Sequence, residues 1–197
     1  MRADKVFQPD SMSGEDRPVL ERRGFLKLAM GGVSALALAP GLTQGTVFQD
    51  RRIQFYNTHT GEAVSKVYWT PRDGYVRESI SEISWSLRDH HNNKVMLFDP
   101  NVLDQLYALQ TQFGLSQPMH IVSAYRSPST NRKLRARNRK VARNSFHMKA
   151  MALDIRIPNR RVSELYRAAR SLGAGGVGYY PRSNFIHIDS GPIRYWS

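Results

Sequence analysis

The sequence predicts an α+β domain in which a small antiparallel sheet packs against helices. Three observations support this fold class. The 197 residues are 41% hydrophobic and 23% charged, which fits one soluble globular domain with an appendage. Helical patterns come early in the domain, and strand-like segments with short connections come late. The chain has no cysteine, so a metal site would have to be built from histidines and carboxylates.

Residues 1–45 have the composition of an export leader rather than of a folded element. Two adjacent arginines, Arg22 and Arg23, precede Phe-Leu-Lys and an apolar stretch of about a dozen residues. This pattern resembles the twin-arginine signal of bacterial export. The stretch is shorter than the roughly 20 residues that a membrane-spanning helix needs. We therefore expect a periplasmic protein, with transient membrane association only through the leader and a folded domain over residues 46–197.

The first part of the domain is predicted to form a hairpin followed by two helices. Residues 53–59 and 63–69 alternate between apolar and polar positions, as the two strands of a hairpin do. Residues 78–90 carry apolar side chains at helical spacing. Residues 99–114 begin with an Asp-Pro pair, which is typical of an N-cap and first turn, and they end with a glycine.

The second part is predicted to contain most of the sheet. Alternation and apolar runs predict strands over residues 119–125, 152–157, 176–180 and 185–189. Helical spacing predicts helices over residues 128–137 and 162–172, the latter closed by Gly173. These segments follow one another with short connections, which favours an antiparallel arrangement.

The charge of the chain points to an anionic partner. The formal net charge is +13, of which the leader contributes +1, so the domain keeps +12. Residues 132–143 alone hold seven basic side chains in twelve positions. Outside the cytoplasm the anionic partners are the cell wall, with its peptide carboxylates, and the lipid surface. We therefore expect peptidoglycan as the partner and no nucleic acid.

Two late strands carry polar side chains where apolar ones would be expected. Asp154 lies within the apolar run 152–157, and His187 and Asp189 alternate with isoleucines in 185–189. A buried carboxylate without a partner is costly, and buried acids and imidazoles on neighbouring strands favour a bound cation. With His147 upstream, a His, Asp, His set with an open fourth position is the ligand pattern of a catalytic zinc site.

Three segments together resemble one family, the D-alanyl-D-alanine-carboxypeptidase-like zinc peptidases and the murein endopeptidases among them. The segments are Ser-Ala-Tyr-Arg-Ser at 123–127, Ser-x-His-x6-Asp at 145–154, and the block from Gly-Val-Gly-Tyr-Tyr-Pro to His-Ile-Asp at 176–189. The resemblance implies a hedgehog-like peptidase fold acting as a monomer. It also implies one zinc ion per chain, bound by His147, Asp154 and His187.

The same resemblance assigns substrate contacts and a reaction. Arg126 would hold a substrate carbonyl or carboxylate and offset charge in the transition state, and Tyr125 and Tyr180 would contact the substrate. The reaction would be hydrolysis of murein cross-links, either D-alanine to diaminopimelate or diaminopimelate to diaminopimelate. Two alternatives remain open, namely a carboxypeptidase that trims stem peptides and an inactive zinc-containing relative that binds peptidoglycan.

The chain departs from the family pattern at two positions. Ala150 stands where relatives usually have glycine, which would cost about 1 kcal/mol if the turn requires a positive φ. Asn184 stands where many relatives have the general base. Asp189 is then the first candidate for the base, although it could equally orient His187. His120 and Tyr125 are the weaker candidates.

Overall fold

A computed structural model describes residues 49–114 and 118–197, so the predicted leader, residues 1–45, lies outside the described residues. The predicted α+β class is confirmed, because four helices accompany an eight-stranded sheet in the described part. The strands are β1 (Arg51–Asn57), β2 (Ala63–Thr70), β3 (Gly74–Tyr75), β4 (Met119–Ser123), β5 (Ala152–Arg156), β6 (Gly176–Tyr180), β7 (Phe185–Asp189) and β8 (Arg194–Trp196). The helices are α1 (Arg77–Ser86), α2 (Pro100–Phe113), α3 (Pro128–Arg137) and α4 (Val162–Leu172).

The sheet is larger than the small antiparallel one predicted, and it is mixed. Its strand order is β3-β2-β1-β4-β5-β7-β6-β8. Two pairs are parallel, β1 with β4 and β6 with β8, and the other pairs are antiparallel. The excursion through α1 and α2 returns the chain beside β1 in the same direction, as a parallel pair requires. The strands β3 and β8 have two and three residues, too few for a pattern of alternation.

The helices α2 and α4 cover one face of the sheet, and the metal-ligand candidates lie on the other. Alternate residues of the central strands, such as Ile121, Leu153 and Ile186, are fully or almost fully buried in one core with Leu106 of α2 and Leu165 of α4. The residues between them point to the opposite face, because side chains alternate along a strand. We call this second side the open face of the sheet. None of the helices in the described ranges is long and apolar enough to cross a membrane.

The helix boundaries follow their capping residues. The Asp99 carboxylate accepts a hydrogen bond from the Asn101 N–H at 3.0 Å, and Gly114 ends α2 in the left-handed conformation. Gly173 closes α4 in the same way. The predicted helix over 78–90 is too long, since α1 ends at Ser86. The chain turns there because the buried Asp89 carboxylate accepts hydrogen bonds from backbone N–H groups in its own turn and at the start of α3.

Candidate metal centre

Three side chains on the open face form the candidate metal centre. Asp154 on β5 and His187 on β7 are directly opposite each other in the antiparallel register. His147 reaches them from a short 3₁₀ helix, Phe146–Lys149, that precedes β5. One potential ligand atom from each residue lies within 4.8 Å of the other two, and all three residues are buried. The strand pairing and this turn therefore assemble the predicted His, Asp, His set.

The outer nitrogen of each imidazole is held by an acceptor, which determines where the ring proton lies. His147 donates from Nδ1 to the Ala124 carbonyl oxygen at 2.7 Å, and His187 donates from Nε2 to the Asp189 carboxylate at 2.9 Å. The inner nitrogens, Nε2 of His147 and Nδ1 of His187, are 3.1 Å apart. They lie 3.2 and 2.9 Å from Oδ1 of Asp154. Acceptor atoms this close require a cation or a proton between them, and this donor set fits zinc.

Burial and charge determine the protonation of these groups. Burial lowers the pKa of His147 below its ordinary value. Burial alone would raise the pKa of the Asp154 carboxyl, but the two histidines beside it outweigh that effect and hold the pKa well below its usual range. Asp154 is therefore ionised at neutral pH and can serve as an anionic metal ligand. Metal ligands have to be in these deprotonated forms to bind.

Asp189 lies behind His187 rather than in front of the metal centre. It has no exposed surface, and its Oδ2 accepts from both His187 Nε2 and Arg194 Nη2, at 2.9 and 2.6 Å. Its Oδ1 accepts from Arg194 Nη1 and from the Gly191 N–H. Burial by itself would raise the pKa of Asp189, but the hydrogen bonds from His187 and Arg194 lower it far more. This geometry favours orientation of His187 over proton abstraction from a water molecule in the cleft.

Arg126 lies beside the metal centre with an unused hydrogen-bond donor. Its Nη2 is 3.6 Å from Oδ2 of Asp154, and its side chain is 16% exposed. Its Nε is buried and has no hydrogen-bond partner in the described part of the chain. The Arg126 N–H donates to the His147 carbonyl oxygen at 3.1 Å, which ties this residue to the turn that carries the ligand.

A cleft of about 1080 Å³ opens over the metal centre. The three ligand candidates and Arg126 line it, together with cationic and aromatic side chains. Tyr180 lines the cleft as predicted for a substrate contact, and its ring stacks on Phe185 with 4.7 Å between centroids. The other lining side chains with charged or aromatic groups are Lys140, Phe146, Tyr179, Arg182, Arg194 and Trp196.

Two predicted candidates lie away from the metal centre. Tyr125 is 6% exposed, belongs to the hydrophobic core and is absent from the cleft lining. It follows β4, and its side chain points into the core while that of Arg126 points into the cleft. His120 is on the open face but pairs with Arg156, two residues along β5 from Asp154. Neither residue is placed to take a proton in the cleft.

Ala150 and Asn184, the two departures from the family pattern, both lie in turns where the backbone has a positive φ. Ala150 has φ 52° and ψ 37° and ends the turn that carries His147, so the turn does require the left-handed conformation that glycine favours. Asn184 has φ 52° and ψ 48° and is exposed between β6 and β7, outside the cleft lining. Asparagine adopts this conformation more readily than most residues do. Asn184 therefore serves the turn.

Two residues of β8 that were not predicted from the sequence contribute to the site. Trp196 packs on the His187 ring with 5.3 Å between centroids, and its Nε1 donates to the Tyr180 hydroxyl at 2.8 Å. A Cβ on Gly178 would lie 2.6 Å from the Trp196 ring, so only glycine permits this approach. Arg194 reaches Asp189 from the same strand. With only three residues, β8 offers no pattern of alternation from which the strand could have been predicted.

Comparisons with known proteins agree with this geometry. A family model described as "Peptidoglycan L,D-endopeptidase MepK" matches residues 46–196. A protein of Escherichia coli (strain K12) named peptidoglycan L,D-endopeptidase MepK is 42% identical over 172 residues, which cover 86% of this chain and 94% of that protein. A Haemophilus influenzae protein named probable peptidoglycan L,D-endopeptidase MepK is 36% identical over 173 residues, or 86% of this chain and 92% of that protein.

Proposed function

The chain belongs to the peptidoglycan L,D-endopeptidase MepK family, and we propose that it hydrolyses peptide cross-links of peptidoglycan at a zinc ion held by His147, Asp154 and His187. Family membership confirms the predicted resemblance and the predicted class, a metallopeptidase acting on peptidoglycan. The observation that carries the zinc assignment is the convergence of three potential ligand atoms, one each from His147, Asp154 and His187, within 4.8 Å. A zinc ion in such a site activates water and polarises the scissile carbonyl.

Three other residues around the metal centre have separate roles in the proposed reaction. Arg126 donates to the scissile carbonyl oxygen as negative charge develops there, and its free Nε and buried position make this donation strong. Tyr180 contacts the peptide arm that occupies the cleft. Asp189 keeps the His187 ring oriented, with Nδ1 toward the metal, because its carboxylate accepts the Nε2 proton.

The proposed activity requires that the chain be exported from the cytoplasm. Peptidoglycan lies outside the cytoplasm, and the twin-arginine leader predicted at residues 1–45 would deliver the chain to the periplasm. A monomer fits this proposal, because His147, Asp154 and His187 supply the three protein ligands that a catalytic zinc site has. Either diaminopimelate-to-diaminopimelate or D-alanine-to-diaminopimelate cross-links fit this chemistry. The name of the relatives favours the former, since it specifies an L,D-endopeptidase.

The first experiment incubates the purified protein with cross-linked muropeptide dimers of both kinds, with and without a chelator, and measures monomers and bound zinc. We expect chelator-sensitive monomer release at about one zinc per chain. Asp154→Ala and His147→Ala should abolish both zinc binding and cleavage, whereas the exposed Asp73→Ala and His90→Ala serve as matched controls. Bound zinc with intact dimers and shortened stem peptides would instead identify a carboxypeptidase, and bound zinc with no product would identify an inactive binding protein.

The role of Asp189 has its own test, the variant Asp189→Asn. If Asp189 orients His187, zinc affinity should fall by about 10–100-fold in a chelator competition, while turnover at saturating zinc stays close to normal. If Asp189 were the general base, zinc affinity would be unchanged and turnover would fall by two or more orders of magnitude. The two outcomes are distinguished because affinity is measured without substrate.

A further inference from the structure

Four side chains form a continuous row across the open face, beside the metal centre. Tyr56 pairs with His120 across β1 and β4, and His120 pairs with Arg156 across β4 and β5. Ile155 pairs with Ile186, so the next position along these antiparallel strands brings Arg156 opposite Phe185. We call Tyr56, His120, Arg156 and Phe185 the open-face strip. The row extends over four strands, which corresponds to about 15 Å at the usual strand spacing.

The polar members of the open-face strip lack partners. Arg156 is half-buried, and no carboxylate within residues 49–114 or 118–197 forms an ion pair with it. Nδ1 of His120 is buried without a hydrogen-bond partner in the same ranges. Burial and the nearby Arg156 charge lower the pKa of His120, so the imidazole is neutral at neutral pH. A partly desolvated guanidinium without a carboxylate partner favours an anionic ligand with planar acceptors.

Apolar surface flanks this polar pair on both sides. The Tyr56 ring lies 5.3 Å from the His120 ring, and Phe185 stacks on Tyr180, which lines the cleft. The strip is therefore continuous with the cleft through Phe185, which itself lines it. A ligand with a carboxylate and an aliphatic stem would match the alternation of aromatic, cationic and aromatic side chains.

We propose that the open-face strip binds a free carboxylate of the peptide arm whose cross-link is cleaved, at a position one or two residues from the scissile bond. Arg156 and Asp154 are two residues apart on β5, a distance of about 7 Å along a strand. Two residues of extended peptide span about the same length. This inference rests on the proposed function, since it specifies the substrate of the same site.

The test compares two soluble cross-linked dimers that differ only in whether their diaminopimelate and glutamate carboxylates are free or amidated. For Arg156→Gln we expect kcat/KM on the free-carboxylate dimer to fall about ten-fold through KM, with a much smaller change on the amidated dimer. Arg156→Lys, which keeps the charge, should retain part of the activity. Arg52→Gln is the matched control, because Arg52 is an exposed arginine of the open face on β1 outside the strip.

Zinc content and thermal midpoint of each variant show whether the metal centre and the fold are intact. Equal losses on both dimers, or no loss on either, in a folded and zinc-loaded Arg156→Gln protein would overturn the inference. If Arg156→Gln folds poorly, the wild-type protein provides the test. The inference requires that the wild type cleave the free-carboxylate dimer faster than the amidated dimer, and equal rates would overturn it. Absence of cleavage of either dimer by the wild type would instead refute the proposed function.

Discussion

At the scale of single residues, the metal centre depends on which nitrogen of each imidazole is free. The Ala124 carbonyl and the Asp189 carboxylate can only accept hydrogen bonds, so each takes the proton of the outer nitrogen. The inner nitrogens are left as lone pairs that point at Asp154. The partners behind the ligands thus prepare the centre for a cation as much as the ligands themselves do.

Substitution of Arg126 tests its proposed role as a donor to the developing oxyanion. Arg126→Gln should lower kcat/KM by about 10²–10³-fold, because a charged donor to the developing oxyanion is lost. Zinc content should stay at the wild-type level, since Arg126 supplies no ligand atom and lies 3.6 Å from Oδ2 of Asp154, not beside the Oδ1 that faces the two imidazoles. Arg126→Lys should restore little activity, because an ammonium group lacks the planar donor geometry.

The measurements are steady-state kinetics on cross-linked dimers together with bound zinc per chain. Arg72→Gln is a suitable control, since Arg72 is a strongly exposed arginine in the turn between β2 and β3, outside the cleft lining. Wild-type kinetics for Arg126→Gln would show that this guanidinium does not act in the transition state.

The cluster of the three proposed ligands could be predicted from the sequence, whereas part of its surroundings could not. Asp154 and His187 interrupt apolar strands, and the cost of burying them without a partner makes them visible in the sequence. Tyr125 and Arg126 belong to one motif, but neighbouring side chains in extended backbone point to opposite sides. Only Arg126 can then face the cleft. Because β4 ends at Ser123, its alternation does not extend to Tyr125 and Arg126 and could not show which of the two faces the cleft.

At the scale of secondary structure, the turn that carries His147 stores backbone strain. Ala150 is held at φ 52°, where an L-residue with a Cβ is disfavoured by roughly 1–2 kcal/mol. The Ala150 methyl group is fully buried, so replacing alanine by glycine also removes packing contacts. This loss offsets part of the free energy gained by relieving the backbone strain. We expect Ala150→Gly to stabilise the protein by about 0.5–1 kcal/mol and to raise the thermal midpoint by about 1–4 °C.

Thermal unfolding of the metal-free protein measures this effect without a contribution from zinc. Ala136→Gly is the matched control, because Ala136 is exposed within α3 and glycine there should destabilise the helix by about 1 kcal/mol. A lower thermal midpoint for Ala150→Gly would mean that the buried methyl group outweighs the strain.

The turn after α1 predicts a pH dependence. Burial by itself would raise the pKa of Asp89, but hydrogen bonds from Thr130, Ser127 and the backbone outweigh it and lower the pKa below its ordinary value. A carboxyl whose pKa is lower in the folded state stabilises that state fully above its unfolded pKa. The stabilisation is lost as the pH falls toward the folded-state pKa.

The variant Asp89→Asn should therefore be less stable than the wild type at pH 7, by about 1–3 kcal/mol. The difference between the two free energies of unfolding should shrink as the pH falls from about 5 to 3. Urea unfolding at several pH values measures it, with the exposed Asp73→Asn as control. A difference that is constant with pH would show that the Asp89 charge does not stabilise this turn.

Helix ends that nearby residues determine could be predicted from the sequence, whereas features that depend on distant contacts could not. The helices α2, α3 and α4 have the predicted bounds. Local residues cap both ends of α2 (Asp99 and Gly114), the start of α3 (Ser127) and the end of α4 (Gly173). The end of α1 was missed, since it depends on Asp89 contacting α3, a residue pair 38 positions apart. The mixed character of the sheet was missed for the same reason, because parallel pairing is a long-range property of the chain.

At the scale of the whole molecule, the distribution of charge governs how the chain meets its substrate. The domain carries nearly all of the net charge of +13, and Lys140 and Arg182 place part of it at the cleft. Peptidoglycan is an extended anionic mesh, so many weak contacts across the protein surface can act together on it. A small soluble dimer can engage only the cleft and its immediate surroundings.

Salt should therefore weaken activity on the mesh more than activity on the dimer. Raising the ionic strength from 0.1 to 1 M shortens the screening length from about 10 to 3 Å, which removes contributions from charges distant from the cleft. We expect cleavage of intact sacculi to fall several-fold over this range, and cleavage of the soluble dimer to fall less. The combined variant R132Q/K133Q/R137Q, on the exposed face of α3 outside the cleft lining, should flatten the salt dependence on sacculi and leave dimer cleavage unchanged. Equal salt dependence on both substrates, or an unchanged slope in the variant, would place the electrostatic contribution entirely within the cleft.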